Sequence, residues 1–258
     1  ISIDRLGDFM SKAESCPFVQ LEGIQFHTSW NLTPGPQVAF ISELGKALAA
    51  LPGYMQLDVS FIEIGGGFWP ECGEWLRAGG TERGRLRQML GSGGRDTGAA
   101  YLLESTGIYD FADEIGAALE RSLPDSIDCR FFIEPGRWLC HHNMHILMSV
   151  VDVKGEDIVI TDAGTGAAGW ERYEHDYFPV VNISDPDIAE TACGIYGSLC
   201  TPHDVWGYSY FGGGIKPGDL LLVPSQGAYT YSLRQEFIKP LPGVAVVQGP
   251  LDLQWKER

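Results

Sequence analysis

Two short segments place glycines or ionisable residues directly after runs of apolar residues. A glycine run at 65–67 follows FIEI, and EPGR at 134–137 follows FFI. Glycine amides can approach an anion closely because no side chain intervenes, so the first segment is either a phosphate-binding turn or an ordinary tight turn. The second segment could supply an acid and a cation to a reaction, or it could form a plain salt bridge.

Two further segments whose residues could take part in a reaction lie in the second half of the chain. CTPHD at 200–204 surrounds Cys200 with hydroxyl, imidazole and carboxyl groups. A lone cysteine is usually a small buried hydrophobe, and these neighbours give Cys200 a better than usual claim to be a reactive thiol. Tyr229 follows the strand-like run GDLLLVPSQ, and it is either a phenol at a ligand site or a core tyrosine.

Three histidines lie close together in the sequence, at His141, His142 and His145. Histidines at i and i+4 share a face suited to zinc only on a helix. This stretch has the pattern of a strand, where His141 and His145 would lie roughly 13 Å apart. We therefore predict no metal site.

The composition restricts the class of partner. The net charge is −16, and no run of lysine or arginine could follow a phosphate backbone, which disfavours nucleic acid and anionic membrane surfaces. No stretch approaches the roughly 18–20 consecutive apolar residues of a membrane span. The six cysteines form no CxxC pair, which is typical of reduced thiols in a cytoplasmic protein.

The first half of the chain alternates short apolar strands with amphipathic helices, a pattern that predicts parallel βα units. Each predicted strand delivers polar or glycine residues at its C-terminal end, where (β/α) barrels place their chemistry. The predicted strands are 21–27, 59–64 and 130–133, and the predicted helices are 36–51 and 108–123.

After residue 140 the pattern changes to strands separated by turn residues, without a long helix. The predicted strands are 145–153, 157–161, 220–223 and 244–248. We therefore predict an α/β domain over residues 1–138 and a mostly antiparallel β domain, a barrel or sandwich, over residues 139–258. The glycine-rich insertion at 77–98 is interpreted as either an active-site lid or a disordered surface loop.

Six segments, taken in this order, resemble the ornithine and diaminopimelate decarboxylase family of alanine-racemase-like (fold type III) enzymes, which use pyridoxal 5′-phosphate (PLP). They are GIQFHTS around His27, FIEIGGGF at 61–68, FFIEPGR at 131–137, VITDAG at 159–164, YGSLCTPHD at 196–204 and GDLLLVPSQGAYT at 218–230. The resemblance implies the C-terminal portion of a (β/α)8 TIM-like barrel, followed by the β domain.

The resemblance also implies a role for each matching residue. His27 would stack on the cofactor ring, Glu134 would bond the pyridine nitrogen, and Cys200 would donate a proton after carbon dioxide leaves. Asp204 would bind the distal end of the substrate, with Thr201 beside it. The implied phosphate-binding residues are Gly65, Gly66, Gly67, Gly136, Arg137 and Tyr229.

The implied activity is decarboxylation of an amino acid that resembles diaminopimelate, ornithine or lysine, or of a modified amino acid from a biosynthetic pathway. The resemblance implies a homodimer in which Cys200 serves the neighbouring subunit's site. A racemase or epimerase on the same fold is an alternative, which a carboxylate at Glu134 disfavours. A non-catalytic homologue or subunit is the second alternative.

The sequence departs from the family pattern at three points. The family's cofactor-binding lysine lies far upstream of the histidine segment, whereas Lys12 is the only lysine before His27 and has a helical context. We therefore expect the N-terminal part of the barrel to lie outside this chain. Ser29 lies one place earlier than the family's phosphate-binding hydroxyl. Thr201 stands where several members have an acid that binds the far end of the substrate, which weakens the case for ornithine and admits a bulkier or modified amino acid.

Overall fold

The computed structural model describes residues 1–57, 59–77, 86, 89–90, 100–169, 173, 176–248 and 252–256. The chain divides into two compact units, one of residues 1–74 and 103–139 and one of residues 75–102 and 140–258. The α-helices in the described ranges are α1 (Leu6–Glu14), α2 (Gly35–Ala49), α3 (Gly53–Leu57), α4 (Ile108–Ser122) and α5 (Gly136–Cys140). The strands are β1 (Gly23–Gln25), β2 (Phe61–Glu63), β3 (Glu74–Arg77), β4 (Ala100–Leu103), β5 (Arg130–Phe132), β6 (Ile146–Lys154), β7 (Ile158–Thr161), β8 (Val181–Asn182), β9 (Glu190–Tyr196), β10 (Val205–Phe211), β11 (Leu220–Val223), β12 (Val244–Gln248) and β13 (Asp252–Lys256).

The first unit contains a parallel sheet in the order β1-β2-β5. Gln25 pairs with Glu63, and Glu63 in turn pairs with Phe132, so the three strands end at the same level. The helices α2 and α4 lie, in the sequence, between successive strands of this sheet, as expected for βα units. Parallel βα units are therefore present in the first half of the chain, as the alternating pattern predicts.

One face of this sheet is buried beneath α2 and α4. Ile41, Leu44 and Leu48 recur at helical spacing on α2 and are fully buried, and they pack in one cluster with Ile62 of β2. Gly45 allows the two helices to approach closely, because a Cβ there would collide with the Ser122 carbonyl. This packing fixes the strands whose ends carry the candidate site.

The second unit is built around a closed six-stranded barrel in the order β10-β8-β11-β6-β7-β9. Four of its pairings are antiparallel, and the β10–β8 and β7–β9 pairings are parallel. Its interior includes Trp206, Ile195 and Leu221, which are at most 1% exposed. The mostly antiparallel sheet predicted for the second half is thus observed, in the form of a barrel.

The sequence pattern did not predict the barrel strands β8, β9 and β10. In β10 five of seven residues are buried, so no alternation of apolar and polar residues marks it, and two register shifts interrupt its pairing with β9. The 77–98 insertion lies almost entirely outside the described residues. Its interpretation as a lid or a disordered loop stays a prediction.

Candidate functional site

The carboxyl ends of β1, β2 and β5 bring His27, the glycine run and Glu134 to one edge of the parallel sheet. Hydrogen bonds continue past the strand ends: Phe26 N–H donates to the Glu63 carbonyl at 3.0 Å, and Glu134 N–H donates to the Gly65 carbonyl at 2.8 Å. Parallel strands in matched register present their next residues together, which places these groups side by side. The first-half candidates are therefore neighbours in space.

The glycine run is a turn that other residues would not fit. Gly65 and Gly67 have φ angles of 75° and 82°, in the left-handed region that favours glycine. A Cβ on Gly66 would lie 2.6 Å from the Glu134 carbonyl oxygen, which is far inside contact distance. The fully buried Gln37 holds the turn from below by donating to the Gly66 carbonyl at 3.3 Å. A turn of backbone amides without side chains is a suitable place for a phosphate.

His27 and Glu134 face each other across this edge. The imidazole Nδ1 lies 3.3 Å from Glu134 Oε2, and the two side chains are 42% and 50% exposed. The same Nδ1 lies 3.3 Å from the Gly66 amide nitrogen. It accepts from Gly66 when the proton is on Nε2 and donates to Glu134 when it carries the proton itself. Both groups present polar atoms to an accessible site.

Glu63 is a further member of the site that the sequence reasoning missed. Its carboxyl group hydrogen-bonds to the Glu134 carboxyl. This contact, together with lost solvation and the charge of Glu134, raises the pKa of Glu63 above its ordinary value of 4.5, and His27 opposes the rise. A glutamate in a short strand usually marks a solvated face. The sequence did contain a signal for this residue. Glu63 lies two residues before the glycine run, and alternate residues of a strand share a face, so its side chain could be expected near the glycine turn.

The predicted phosphate-side residues Gly136 and Arg137 begin α5. Gly136 N–H donates to the Glu134 carbonyl at 2.8 Å. The Arg137 guanidinium lies over the Trp69 ring at 4.7 Å and over the Trp30 ring at 5.8 Å. The side chain of Arg137 thus contacts two aromatic rings, and a contact with phosphate through its backbone stays a prediction.

In the second unit, Cys200 lies in an exposed loop that is held by Asp204. The Asp204 carboxylate is 2% exposed and accepts hydrogen bonds from Leu199 N–H at 2.6 Å and from the N–H and hydroxyl of Thr165 at 2.7 and 2.9 Å. Thr201 is partly buried, and its carbonyl accepts the Asp204 N–H at 3.2 Å. The predicted contacts of Thr201 and Asp204 with substrate stay predictions.

Tyr229 follows a firmly held turn in the same unit. Gln226 is 3% exposed; its side chain accepts the Tyr173 hydroxyl at 2.7 Å and donates to the Pro224 carbonyl at 2.9 Å. Tyr229 itself is 43% exposed and has a φ of 58°, a left-handed conformation that is unusual for a bulky residue. Its predicted role in phosphate binding stays untested.

Two other kinds of site, for metals and for membranes, are absent from the residues that the structure describes. Within those ranges, no three His, Cys, Asp or Glu side chains gather in a way that could hold a metal ion. Likewise, none of the helices in the described part of the chain combines the length and apolar character needed to cross a bilayer.

A family profile matches more than half of the chain. The profile of the pyridoxal-dependent decarboxylases, C-terminal sheet domain, matches residues 69–227. No curated protein sequence matches the chain.

Solved structures share the fold at low sequence identity. Diaminopimelate decarboxylase from Helicobacter pylori in complex with L-lysine matches with a TM-score of 0.72 and 19% identity, over 98% of this chain and 56% of that one. Lysine/ornithine decarboxylase from Vibrio vulnificus in complex with cadaverine matches with a TM-score of 0.65 and 21% identity, over 92% of this chain and 56% of that one. SrLDC in complex with PLP and cadaverine matches with a TM-score of 0.65 and 20% identity, over 91% of this chain and 54% of that one. The chain spans little more than half the length of these structures.

Proposed function

The chain belongs to the family of pyridoxal-dependent decarboxylases, and we propose that the protein it represents removes the carboxyl group of an amino acid. The observation that carries this proposal is the convergence of His27, the glycine turn and Glu134 at the carboxyl edge of one parallel sheet. The family uses pyridoxal phosphate. When bound, this cofactor supplies an electron sink for the electron pair left as carbon dioxide departs.

The residues at the sheet edge fit such a cofactor. Gly65, Gly66 and Gly67 form a turn without side chains, which suits the phosphate. His27 offers an accessible imidazole face to the ring. Glu134 offers an accessible carboxylate that would hold a proton on the ring nitrogen, because an anion stabilises the protonated form. We assign these three roles to this chain, and we also assign Gly136, the Arg137 backbone and Tyr229 to the phosphate.

Decarboxylation is favoured over racemisation by the group at the ring nitrogen. A carboxylate keeps that nitrogen protonated and makes the ring a strong electron sink, whereas an arginine there would leave it unprotonated. Arg137 does not fill this position, since its guanidinium lies over Trp69 at 4.7 Å.

We further propose that the first unit is the later part of a (β/α)8 barrel and that the complete protein is a homodimer. In this arrangement the exposed Cys200 serves the neighbouring subunit's site and donates the proton that replaces the carboxyl group. The proposed substrates are amino acids with a second polar end, of the diaminopimelate, ornithine or lysine type, or a modified relative.

The test is an assay of the complete protein with PLP and a panel of L- and D-amino acids. One substrate should release carbon dioxide and one equivalent of amine. Glu134→Gln should keep the cofactor but lose about ten- to a hundredfold in rate, because it loses one charge-assisted hydrogen bond. Exchange of enantiomers without carbon dioxide would instead identify a racemase. Cofactor binding without either reaction would identify a non-catalytic homologue.

A further inference from the structure

Glu63 lies on the open face of the parallel sheet, beside the carboxylate assigned to the ring nitrogen. Its register partner on β5 is Phe132, and Glu134 follows two residues later. Because side chains alternate along a strand, Glu63 and Glu134 project from the same face. The opposite face, which carries Ile62 and Ile64, is buried beneath the helices. Glu63 therefore has a position within the candidate site and no part in the core.

The surroundings of Glu63 give its carboxyl one preferred partner. Among the residues that the structure describes, the charged or titratable groups on this face are Glu134 after β5, His27 after β1, and Arg130 at the start of β5, whose guanidinium lies over the Phe132 ring at 5.6 Å. Two carboxyl groups within hydrogen-bonding distance cannot both be ionised without repulsion, and one shared proton removes that repulsion.

We propose that Glu63 is a positioning residue, which shares one proton with Glu134 and holds the Glu134 carboxylate toward the cofactor ring. This inference rests on the proposed function only for the identity of that ring. The raised pKa of Glu63 agrees with the arrangement. With Glu63 carrying the proton, its O–H donates to one Glu134 oxygen, and the second oxygen stays available.

The role makes two substitutions at Glu63 behave differently. In Glu63→Gln, the amide N–H₂ donates to Glu134 in place of the shared proton, so the position of Glu134 is kept. Residue 63 itself no longer titrates. In Glu63→Leu, the donor is gone, so no group on β2 holds the Glu134 carboxylate toward the ring, although the His27 Nδ1 still lies 3.3 Å from its Oε2. Glu120→Gln is a matched control, because Glu120 is an exposed glutamate on α4.

The first experiment uses the ligand-free protein and needs no catalysis. The ¹³C chemical shifts of the glutamate carboxyl carbons are followed against pH. In the wild type and in Glu120→Gln, the Glu63 carboxyl signal should move at a pH above the ordinary value for a glutamate. Glu63→Gln and Glu63→Leu should both lose this signal, which assigns it to Glu63. A Glu63 signal that moves at the ordinary pH of a glutamate in the wild type would overturn the inference.

The second experiment measures cofactor affinity and the ¹⁵N shift of the ring nitrogen in the complete protein. Glu63→Leu should move the ring shift toward the unprotonated value while PLP stays bound, because Glu134 is no longer held toward the ring nitrogen. Glu63→Gln should restore the wild-type shift. Equal behaviour of Glu63→Leu and wild type would refute the positioning role. If the wild type did not bind PLP but the Glu63 signal still moved at a raised pH, the proposed function would be refuted and the pairing of Glu63 with Glu134 would be retained.

Discussion

The carboxylate of Asp204 accepts a hydrogen bond of 2.6 Å from the backbone N–H of Leu199, the residue before Cys200. The same buried carboxylate accepts the N–H and hydroxyl of Thr165. Asp204 thus fixes the loop that presents Cys200. These hydrogen bonds give a structural reason for an acid at position 204, in addition to the substrate contact that the family resemblance implies.

Replacing Asp204 should therefore cost stability. In Asp204→Asn, the side-chain amide can turn only one acceptor oxygen toward the backbone donors, and its N–H₂ opposes another donor. The free energy of unfolding should fall by about 1.5–3 kcal/mol, the worth of a hydrogen bond to a charged group. Urea denaturation followed by tryptophan fluorescence measures this, because Trp206 is buried in the same unit.

Asp187→Asn is the matched control for this prediction. Asp187 also accepts a backbone N–H, from Ala189 at 2.9 Å, but it is exposed, so the change should stay within about 0.5 kcal/mol. If Asp204→Asn lowered the free energy of unfolding no more than this control but raised KM in the complete protein, a direct contact with substrate would better explain the acid at position 204.

The parallel strands and the two long helices of the first unit could be predicted from the sequence, because their apolar spacing is regular and local. The helix predicted at 108–123 is observed as Ile108–Ser122. The barrel strand β10 could not be predicted, because its burial on both faces and its irregular register are set by neighbours distant in sequence.

The candidate site likewise contains features that could be predicted from the sequence and features that could not. The meeting of His27 and Glu134 follows from residues placed directly after parallel strands. The burial of Asp204 does not, since it depends on a loop returning to Thr165 from another part of the chain. The role of Glu63 could not be predicted because its partner, Glu134, lies 71 residues away in the sequence and comes close only through the register of β2 and β5.

Gly66 should not tolerate a side chain. In Gly66→Ala, the new Cβ would lie 2.6 Å from the Glu134 carbonyl oxygen, so the turn must move away from β5. We expect a loss of about 1–3 kcal/mol in the free energy of unfolding and at least about tenfold weaker binding of PLP. Denaturant unfolding and fluorescence titration with PLP measure the two effects.

Gly116→Ala provides the comparison for this change. Gly116 lies in α4, and no atom lies within 4 Å of the place that an added methyl group would take, so alanine should stabilise the helix by about 0.5–1 kcal/mol. PLP affinity equal to wild type in Gly66→Ala would contradict the phosphate role of the turn.

Glu63 should make the stability of the ligand-free protein depend on pH. A folded-state pKa above the unfolded value means that the folded state binds the proton more tightly. The resulting stabilisation is complete below about pH 4.5 and is lost as the pH rises through the raised pKa. The difference in melting temperature between wild type and Glu63→Gln should therefore change across this window and stay constant above it. A constant difference from pH 4 to pH 8 would contradict the prediction.

The cysteines should differ in reactivity according to burial. Cys193 is 4% exposed, and burial raises its pKa to about 11, so at pH 8 only about one thiol in a thousand is ionised. Cys200 is exposed. Brief treatment with iodoacetamide and peptide mapping should find Cys200 alkylated and Cys193 untouched. Cys140, which is also exposed, is the internal control for access. Early labelling of Cys193 would show that the barrel opens.

The last prediction concerns the chemical role of Cys200 in the complete protein. In Cys200→Ala, the proposed proton donor is absent, but the groups that bind the cofactor are unchanged. Carbon dioxide release should therefore continue, while the proton that replaces the carboxyl group is delivered to another carbon. The amine product should fall well below one equivalent per carbon dioxide, and a carbonyl product should appear, with the amino group retained on the cofactor. Parallel measurement of carbon dioxide, amine and carbonyl compound gives the partition. Cys140→Ala should keep the wild-type ratio, since Cys140 is an exposed thiol outside the 200–204 loop. Clean amine production by Cys200→Ala at the wild-type rate would remove Cys200 from the reaction.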